Sequence, residues 1–466
     1  MPSFSAESLA RHETYRSLKA LHNKFSRLSD LDFVSAGSSH LAAISTEILK
    51  RILKRFNNYS FNIVRLVSSD LLSYFQIIFR SISSSTPSDV SWSVIPSLSD
   101  LLGRYKKRSE FVISSSWNRN YSIQPINALT RLREYAVNKD GVLYETEEES
   151  KIFYEQLLTK YKCNNIWIMF YPRVKRLSAT HFTVFGHELG HIVYQDWSDD
   201  HFEDFQITHG IANKLEKAMD DFCTTHNLSD EMREDIFIQW PKSILDSLEE
   251  VICDIVGCIT FGFTFLLSLF KFSSIHNFEK HLVKYGYYSW AYRIQLCLDT
   301  LKILGSPFDG TFDKGIYKWI ESIDVHRQQF HPEEEVRNNK RTEYHSILLD
   351  AIRNGLPDIV KDLKYYLDSC DLSYDADFKV SDVSQVHQFL VEGIVPCANV
   401  YEDNNSIKYT PYNLRNIITG TWKYIIYNTK FSLDETMKYY KISRQANLLS
   451  LKGVEMARLL ESHGSV

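Results

Sequence analysis

The sequence predicts an α+β protein that is predominantly helical, and three observations carry that expectation. Breakers are scarce, with 17 Gly and 11 Pro in 466 residues, while large side chains are plentiful, with 27 Tyr, 28 Phe and 8 Trp. Apolar residues recur at helical spacing before residue 80 and again from Ser178 nearly to the end. Between those stretches lie short runs rich in Ile, Trp, Phe and Tyr, which suit strands.

Residues 5–80 read as helices, and "STEILKRILKRF" opens on Ser45, Thr46 and Glu47 as a helix-capping pattern would. The Ser-rich, Pro-containing stretch "SISSSTPSDVSWSVIPSLSD" (81–100) reads as a long loop or linker. Three β-leaning pieces follow: "EFVISSSW" (110–117), "GVLYETE" (141–147) and "NIWIMFY" (165–171), with a helical piece, "PINALTRLREYAV", between the first two. The third is apolar throughout, as a strand covered on both faces should be. Ser178 stands where a helix N-cap is expected, and "SPFDG" (306–310) marks a second boundary. Beyond it, "NLRNIITGTWKYIIYNT" and "SRQANLLSLKGVEMARLLES" read as an all-helical module. The expected division is a helical N-terminal region over 1–105, a core over 106–305 and a helical C-terminal domain over 306–466.

Composition excludes some function classes. Hydrophobic residues at 44% and charged residues at 24% are ordinary for a folded, soluble protein. A net charge of −5 and the lack of a long basic run offer nothing to nucleic acid. Seven cysteines at 163, 223, 253, 258, 297, 370 and 397 form no CxxC pair, so they read as reduced thiols. The first residues are polar and amphipathic without the apolar stretch of a signal peptide, and the expected compartment is the cytoplasm. Residues 255–270, "IVGCITFGFTFLLSLF", carry no charge over sixteen positions and are closed by Asp254 and Lys271. A membrane-spanning helix needs about 20 apolar residues, so a buried core helix is the preferred reading and no membrane partner is expected.

The chemistry starts at "FGHELGHIVYQDW" (185–197). On a helix, His187 and His191 lie one turn apart on one face and can aim ring nitrogens at a single ion, with Zn–N distances of about 2.0–2.1 Å. Glu188 projects about 100° around the axis. That is too far for a natural ligand, but within reach of a water on the metal, as a general base requires. The bland alternative is a helix carrying two solvated or core-bonded histidines.

A catalytic zinc needs a third protein ligand. A histidine six residues after the second would serve, but the glycine position of that spacing is Tyr194 and the histidine position is Trp197. Asp196 is one residue out of place, and His201 and His209 share no helical register with the pair. The other option is a later helix, "SILDSLEEVICDIVGC" (243–258), where Glu250 and Asp254 fall on one face. Glu250 can bind the ion while Asp254 accepts a hydrogen bond from the far nitrogen of a ligating histidine. Acidic residues beside so apolar a segment are costly to bury without a cation or donor nearby. The competing reading is a helix N-terminus whose dipole favours Glu249 and Glu250, which leaves Asp254 unexplained.

"HELGH" (187–191) together with "EEVICDIVG" (249–257) resembles the zinc metallopeptidases whose third ligand is a downstream glutamate, the gluzincins of the thermolysin type. The resemblance covers about residues 106–305. It implies a zincin-like core, a small mixed sheet packed on two active-site helices, with "NIWIMFY" placed to supply an edge strand to a substrate. It further implies one Zn2+ held by His187, His191 and Glu250, Glu188 as catalytic base and Asp254 orienting His187. Such enzymes add a group that stabilises the developing oxyanion. "HLVKYGYYSWAYRIQL" (281–296) offers Tyr288 and Arg293 for that role, although aromatic and Arg residues at this spacing also serve packing. The 58 residues between His191 and Glu250 suggest an insertion over the cleft.

The expected activity is zinc-assisted hydrolysis of peptide bonds in intracellular protein or peptide substrates, with the helical flanks open to a regulatory protein partner. Two other classes are carried: a non-catalytic interaction protein on a peptidase-like scaffold, and a membrane-embedded metallopeptidase that uses 255–270 as its span. His326, His331 and His345 read as structural, and the charges of "HPEEEVRNNKR" (331–341) as solvated helix faces or loops.

Overall fold

Two units divide the chain in the computed structural model, Met1–Leu177 and Ser178–Val466. The structure describes residues 5–28, 31, 33, 35–87, 93–106, 109–116, 122–125, 152, 156–157, 159–161, 165–172, 175–225, 227, 229–273, 290–305, 343–374, 378–403, 406–429 and 436–463. These are mostly helical, with a small mixed sheet in the first unit and a two-stranded hairpin in the second.

The first unit contains α1 (Ala6–Leu28), α2 (Ala36–Arg55), α3 (Phe61–Leu66), a π-helical turn (Val67–Leu71), α4 (Leu72–Ser83) and α5 (Ile95–Tyr105). Its strands are β1 (Ser109–Ser116), β2 (Ser122–Pro125) and β3 (Asn165–Pro172). The capping pattern at Ser45–Glu47 caps nothing, because α2 starts at Ala36 and runs straight through it. Leu41, Ile44, Ile48 and Ile52 are buried at helical spacing, so one apolar stripe continues across the pattern. Thr46 simply donates its hydroxyl to the Ala42 carbonyl at 2.8 Å. The loop expected over 81–100 is helical at both ends. There α4 buries Leu72, Phe75, Ile78 and Ile82, and α5 starts at Ile95 with proline in its first turn, where no N–H is missed.

Strand β3 is central in the order β1-β3-β2, parallel to β1 and antiparallel to β2. Its Ile166, Trp167, Ile168, Met169 and Tyr171 are all buried, as expected of a strand covered on both faces. Within this unit β1 packs on α2, α4 and α5. The expected strand over 141–147 and all but Pro125 of "PINALTRLREYAV" lie outside the described residues.

The second unit opens with a 3₁₀ turn (Ala179–Val184), all of it buried, and continues with α6 (Phe185–His209), α7 (Ile211–Thr225), α8 (Asp230–Phe261) and α9 (Phe263–Ser273). Then come α10 (Trp290–Ile303), α11 (Glu343–Asp368), α12 (Val380–Val391), β4 (Ala398–Asp403), β5 (Ser406–Pro411), α13 (Leu414–Asn428) and α14 (Thr436–His463). The antiparallel pair β4–β5 corrects the all-helical reading of the C-terminal part. The uncharged stretch 255–270 is not one helix. It breaks at Gly262, which takes a φ of 57° that side-chain-bearing residues avoid, so α8 ends and α9 leaves in a new direction. No described helix is long and apolar enough to cross a membrane.

A buried polar network ties the C-terminal helices to the approach of α6. Asn447 of α14 accepts from the Thr180 backbone N–H at 3.0 Å, and Trp422 of α13 donates to Ser268 at 3.3 Å. The Ser268 hydroxyl in turn donates to the Thr180 carbonyl.

The centre of this unit is the crossing of α6 and α8, which run antiparallel. A Cβ placed on Gly190 would overlap Cys253 Cα, and one on Gly186 would come within 2.9 Å of Gly257 Cα. Both obstacles are backbone, which cannot swing aside as a side chain can. Gly190→Ala is therefore expected to force the helices apart and destabilise the protein by about 2 kcal/mol or more. Gly103→Ala on α5, where nothing lies within 4 Å, should instead stabilise by about 0.5–1 kcal/mol. Urea unfolding of the two variants checks both signs.

Candidate metal centre

The close crossing brings the histidine face of α6 against an acidic face of α8. His187 lies between two carboxylates one turn apart: its Nδ1 donates to Asp254 Oδ1 at 2.9 Å, and its Nε2 faces Glu250 Oε2 at 3.3 Å. One turn along α6, His191 Nδ1 donates to Glu249 Oε1 at 2.8 Å. The two imidazoles stand edge to face with centroids 5.2 Å apart. Both histidines thus have Nδ1 held by a carboxylate, which makes Nε2 the nitrogen left for a ligand.

Arg293 of α10 completes the cluster from behind. Its Nε donates to Asp254 Oδ2 at 2.6 Å and a terminal nitrogen donates to Oδ1 at 2.8 Å, a two-pronged grip on one carboxylate. The same terminal nitrogen is 3.3 Å from His187 Nδ1 and 3.7 Å from Glu250 Oε2. The sequence reading offered Arg293 for an oxyanion; here its guanidinium grips Asp254, on the Nδ1 side of His187. Tyr288, the other residue offered for that role, lies outside the described residues.

Burial makes these charges interact strongly. Asp254 is fully buried, and Glu188, Arg293, His187 and Glu250 are between 3% and 9% exposed. Burial alone would raise the Asp254 carboxyl, but Arg293 and then His187 bring it down to about 2. Burial would lower the His187 imidazole, yet Glu250 and Asp254 outweigh it and hold the ring up at about 10. Glu250 is drawn below its ordinary range by His187 and Arg293 despite its burial. The Arg293 guanidinium, bound to Asp254, is held even more firmly in its charged form.

Cys253 sits inside this ring. Its Sγ, with one ligating nitrogen each of His187 and His191, forms a group whose atoms all lie within 4.8 Å of one another. Burial and four surrounding carboxylates, Glu250, Glu249, Asp254 and Glu188, push its thiol well above the usual range. Two donors of a tetrahedral zinc site with bonds near 2.1 Å stand about 3.4 Å apart, and His187 Nε2 and Glu250 Oε2 are 3.3 Å apart. Among the described residues, the group whose ligating atoms come together is thus His187, His191 and Cys253, and Glu250 lies against the same His187 nitrogen.

Several expectations change here. Glu249 and Glu250 are not at a helix N-terminus, because α8 begins at Asp230 and both lie in its middle. The interval between His191 and Glu250 holds the rest of α6, all of α7 and the first half of α8. His201 packs among the rings of Trp197 and Tyr366. The side chains of His209 and His345, and His326 and His331 entirely, lie outside the described residues. Sequence reasoning gave Glu249 only a helix N-terminus and Cys253 only a reduced thiol, and it passed over the crossing glycines. The available signal was the repeat of small residues four apart on each helix, Gly186 and Gly190 against Cys253 and Gly257.

Asp254→Asn is expected to cost about 3–5 kcal/mol in urea unfolding of the metal-free protein, since it leaves Arg293 buried without its carboxylate. Comparison of the chain with protein-family models, with curated proteins and with solved structures returned no match, so the geometry of this centre carries the functional reading.

Proposed function

We propose that this chain is a zinc-dependent metallopeptidase of the gluzincin type, with a zincin-like centre in the unit that holds α6 and α8. It would hydrolyse peptide bonds of protein or peptide substrates. The observation that carries the reading is the convergence of Glu250 on His187 Nε2 at 3.3 Å with Asp254 on the far nitrogen of the same ring at 2.9 Å. A packing-only explanation leaves four buried or half-buried acidic and basic side chains gathered on two histidines without a purpose.

In this reading His187, His191 and Glu250 would hold one zinc ion. When bound, zinc supplies Lewis acidity that polarises a carbonyl and lowers the pKa of a water toward about 7. Glu188, next to His187 on the helix and 3% exposed, would hold on its carboxylate the proton given up by an attacking water and pass it to the leaving amine. Asp254 keeps the proton of His187 on Nδ1 so that Nε2 faces the ion. Arg293 is a positioning residue: its two hydrogen bonds lock the Asp254 carboxylate in the plane that His187 requires.

Purified protein is expected to bind one equivalent of zinc and to cleave a quenched-fluorescent peptide library, with chelation abolishing cleavage and added zinc restoring it. Glu188→Gln should retain the metal and lose cleavage by about 10²- to 10⁴-fold. Cleavage by that variant at the wild-type rate, or a protein that binds no zinc, would sink the reading. The third ligand is decided by cobalt substitution. Glu250 as ligand gives only weak visible bands, and Cys253→Ser leaves them unchanged. An intense near-ultraviolet sulfur-to-cobalt band lost in Cys253→Ser would give the position to the thiolate.

A further inference from the structure

Neighbouring glutamates on α8 divide between the two histidines. Consecutive helix residues point about 100° apart, so Glu249 and Glu250 cannot serve the same ring. Glu250 faces His187 Nε2, and Glu249 Oε1 lies 2.8 Å from His191 Nδ1. His187 has its own far-side carboxylate in Asp254. Each histidine therefore meets a carboxylate at Nδ1, and the two carboxylates come from opposite ends of one short stretch, Glu249 to Asp254.

We propose that Glu249 is the positioning residue of His191, a second carboxylate–histidine anchor that holds this ring with Nε2 toward the ion. The proposal rests on the metal-binding reading of this centre. The chemistry follows from what a neutral imidazole can do: one nitrogen carries the proton and the other the lone pair. A carboxylate accepting at Nδ1 keeps the proton there and makes Nε2 the donor to a metal. The two anchors differ in surroundings. Asp254 is fully buried and gripped by Arg293, whereas Glu249 is 32% exposed and His191 24% exposed, and no arginine bond to Glu249 occurs among the described residues. His187 is thus clamped at a sealed end of the site, and His191 at its open end. On this geometry, loss of the Glu249 anchor loosens the ion on the side where solvent enters. The Asp254 anchor, by contrast, also holds the fold.

The test uses competitive zinc titration against a chromophoric chelator on full-length protein, with nitrogen-15 NMR of the zinc-loaded form to read the His191 tautomer. Glu249→Ala is expected to weaken zinc binding by about 10- to 100-fold. Its metal-free protein should keep the wild-type circular dichroism and urea midpoint. Glu249→Gln, whose amide oxygen still accepts from Nδ1–H, should recover most of the loss, and its His191 should remain the Nδ1–H tautomer. Wild-type zinc affinity in Glu249→Ala overturns the proposal while leaving the metal centre standing. Loss of all binding in Glu249→Gln overturns it too, because that marks Glu249 as a ligand and not an anchor. Failure of the wild-type protein to bind zinc overturns the metal reading itself.

Discussion

Everything at the centre of the second unit depends on how closely α6 and α8 approach. Helices usually pack about 8–10 Å apart, with side chains setting the distance. Here Gly190 puts no side chain between the helices, and Cys253 Cα fills the space a Cβ would take. The small residues at 186, 190, 253 and 257 are therefore the spacer that fixes the site. With them in contact, His187 and His191 come within hydrogen-bond reach of carboxylates on the facing helix. A wider crossing would leave the same side chains on the same faces, too far apart to interact.

The electrostatics follow from that approach. Four carboxylates surround Cys253, and Arg293 is the guanidinium that binds among them. Buried charges of one sign are tolerated only where an opposite charge or a set of donors compensates them. The Asp254–Arg293 pair meets that condition locally. The remaining negative charge is met by His187, which the surrounding carboxylates hold protonated far above its ordinary range. Under the proposed function a divalent ion takes the place of that proton, and Glu249 and Asp254 each orient one histidine toward it.

Parts of this were legible in the sequence. The i, i+4 pairs His187/His191 and Glu250/Asp254 are defined by helical geometry alone, and so is the separation of Glu188 from the ligand face. The strands Ser109–Ser116 and Asn165–Pro172 stood out because β-branched and aromatic runs suit few other elements. Glu249 was not legible, because its reading turned on where α8 begins. A start near residue 243 makes it an N-terminal acid, and the actual start at Asp230 makes it a mid-helix anchor. Ser45 misled for a similar reason: a local capping pattern was overridden by the buried stripe of a longer helix. The hairpin over 398–411 went unseen because Val400, Tyr401, Ile407 and Tyr409 are exposed, with no buried face to impose the alternation that marks a strand.

By itself, the sequence determined which residues share a helix face, since periodicity is a local property of the backbone. It thereby named the two halves of the centre and the chemistry each can perform. The resemblance implied Asp254 on His187, but only the tertiary structure decided the other pairings: Glu250 on the second nitrogen of His187, Glu249 on His191, and Arg293 on Asp254. Pairing between helices depends on their register and separation, and those are set by contacts between residues far apart in the chain. No local pattern states that Gly190 meets Cys253, and that contact determines which carboxylate each histidine finds.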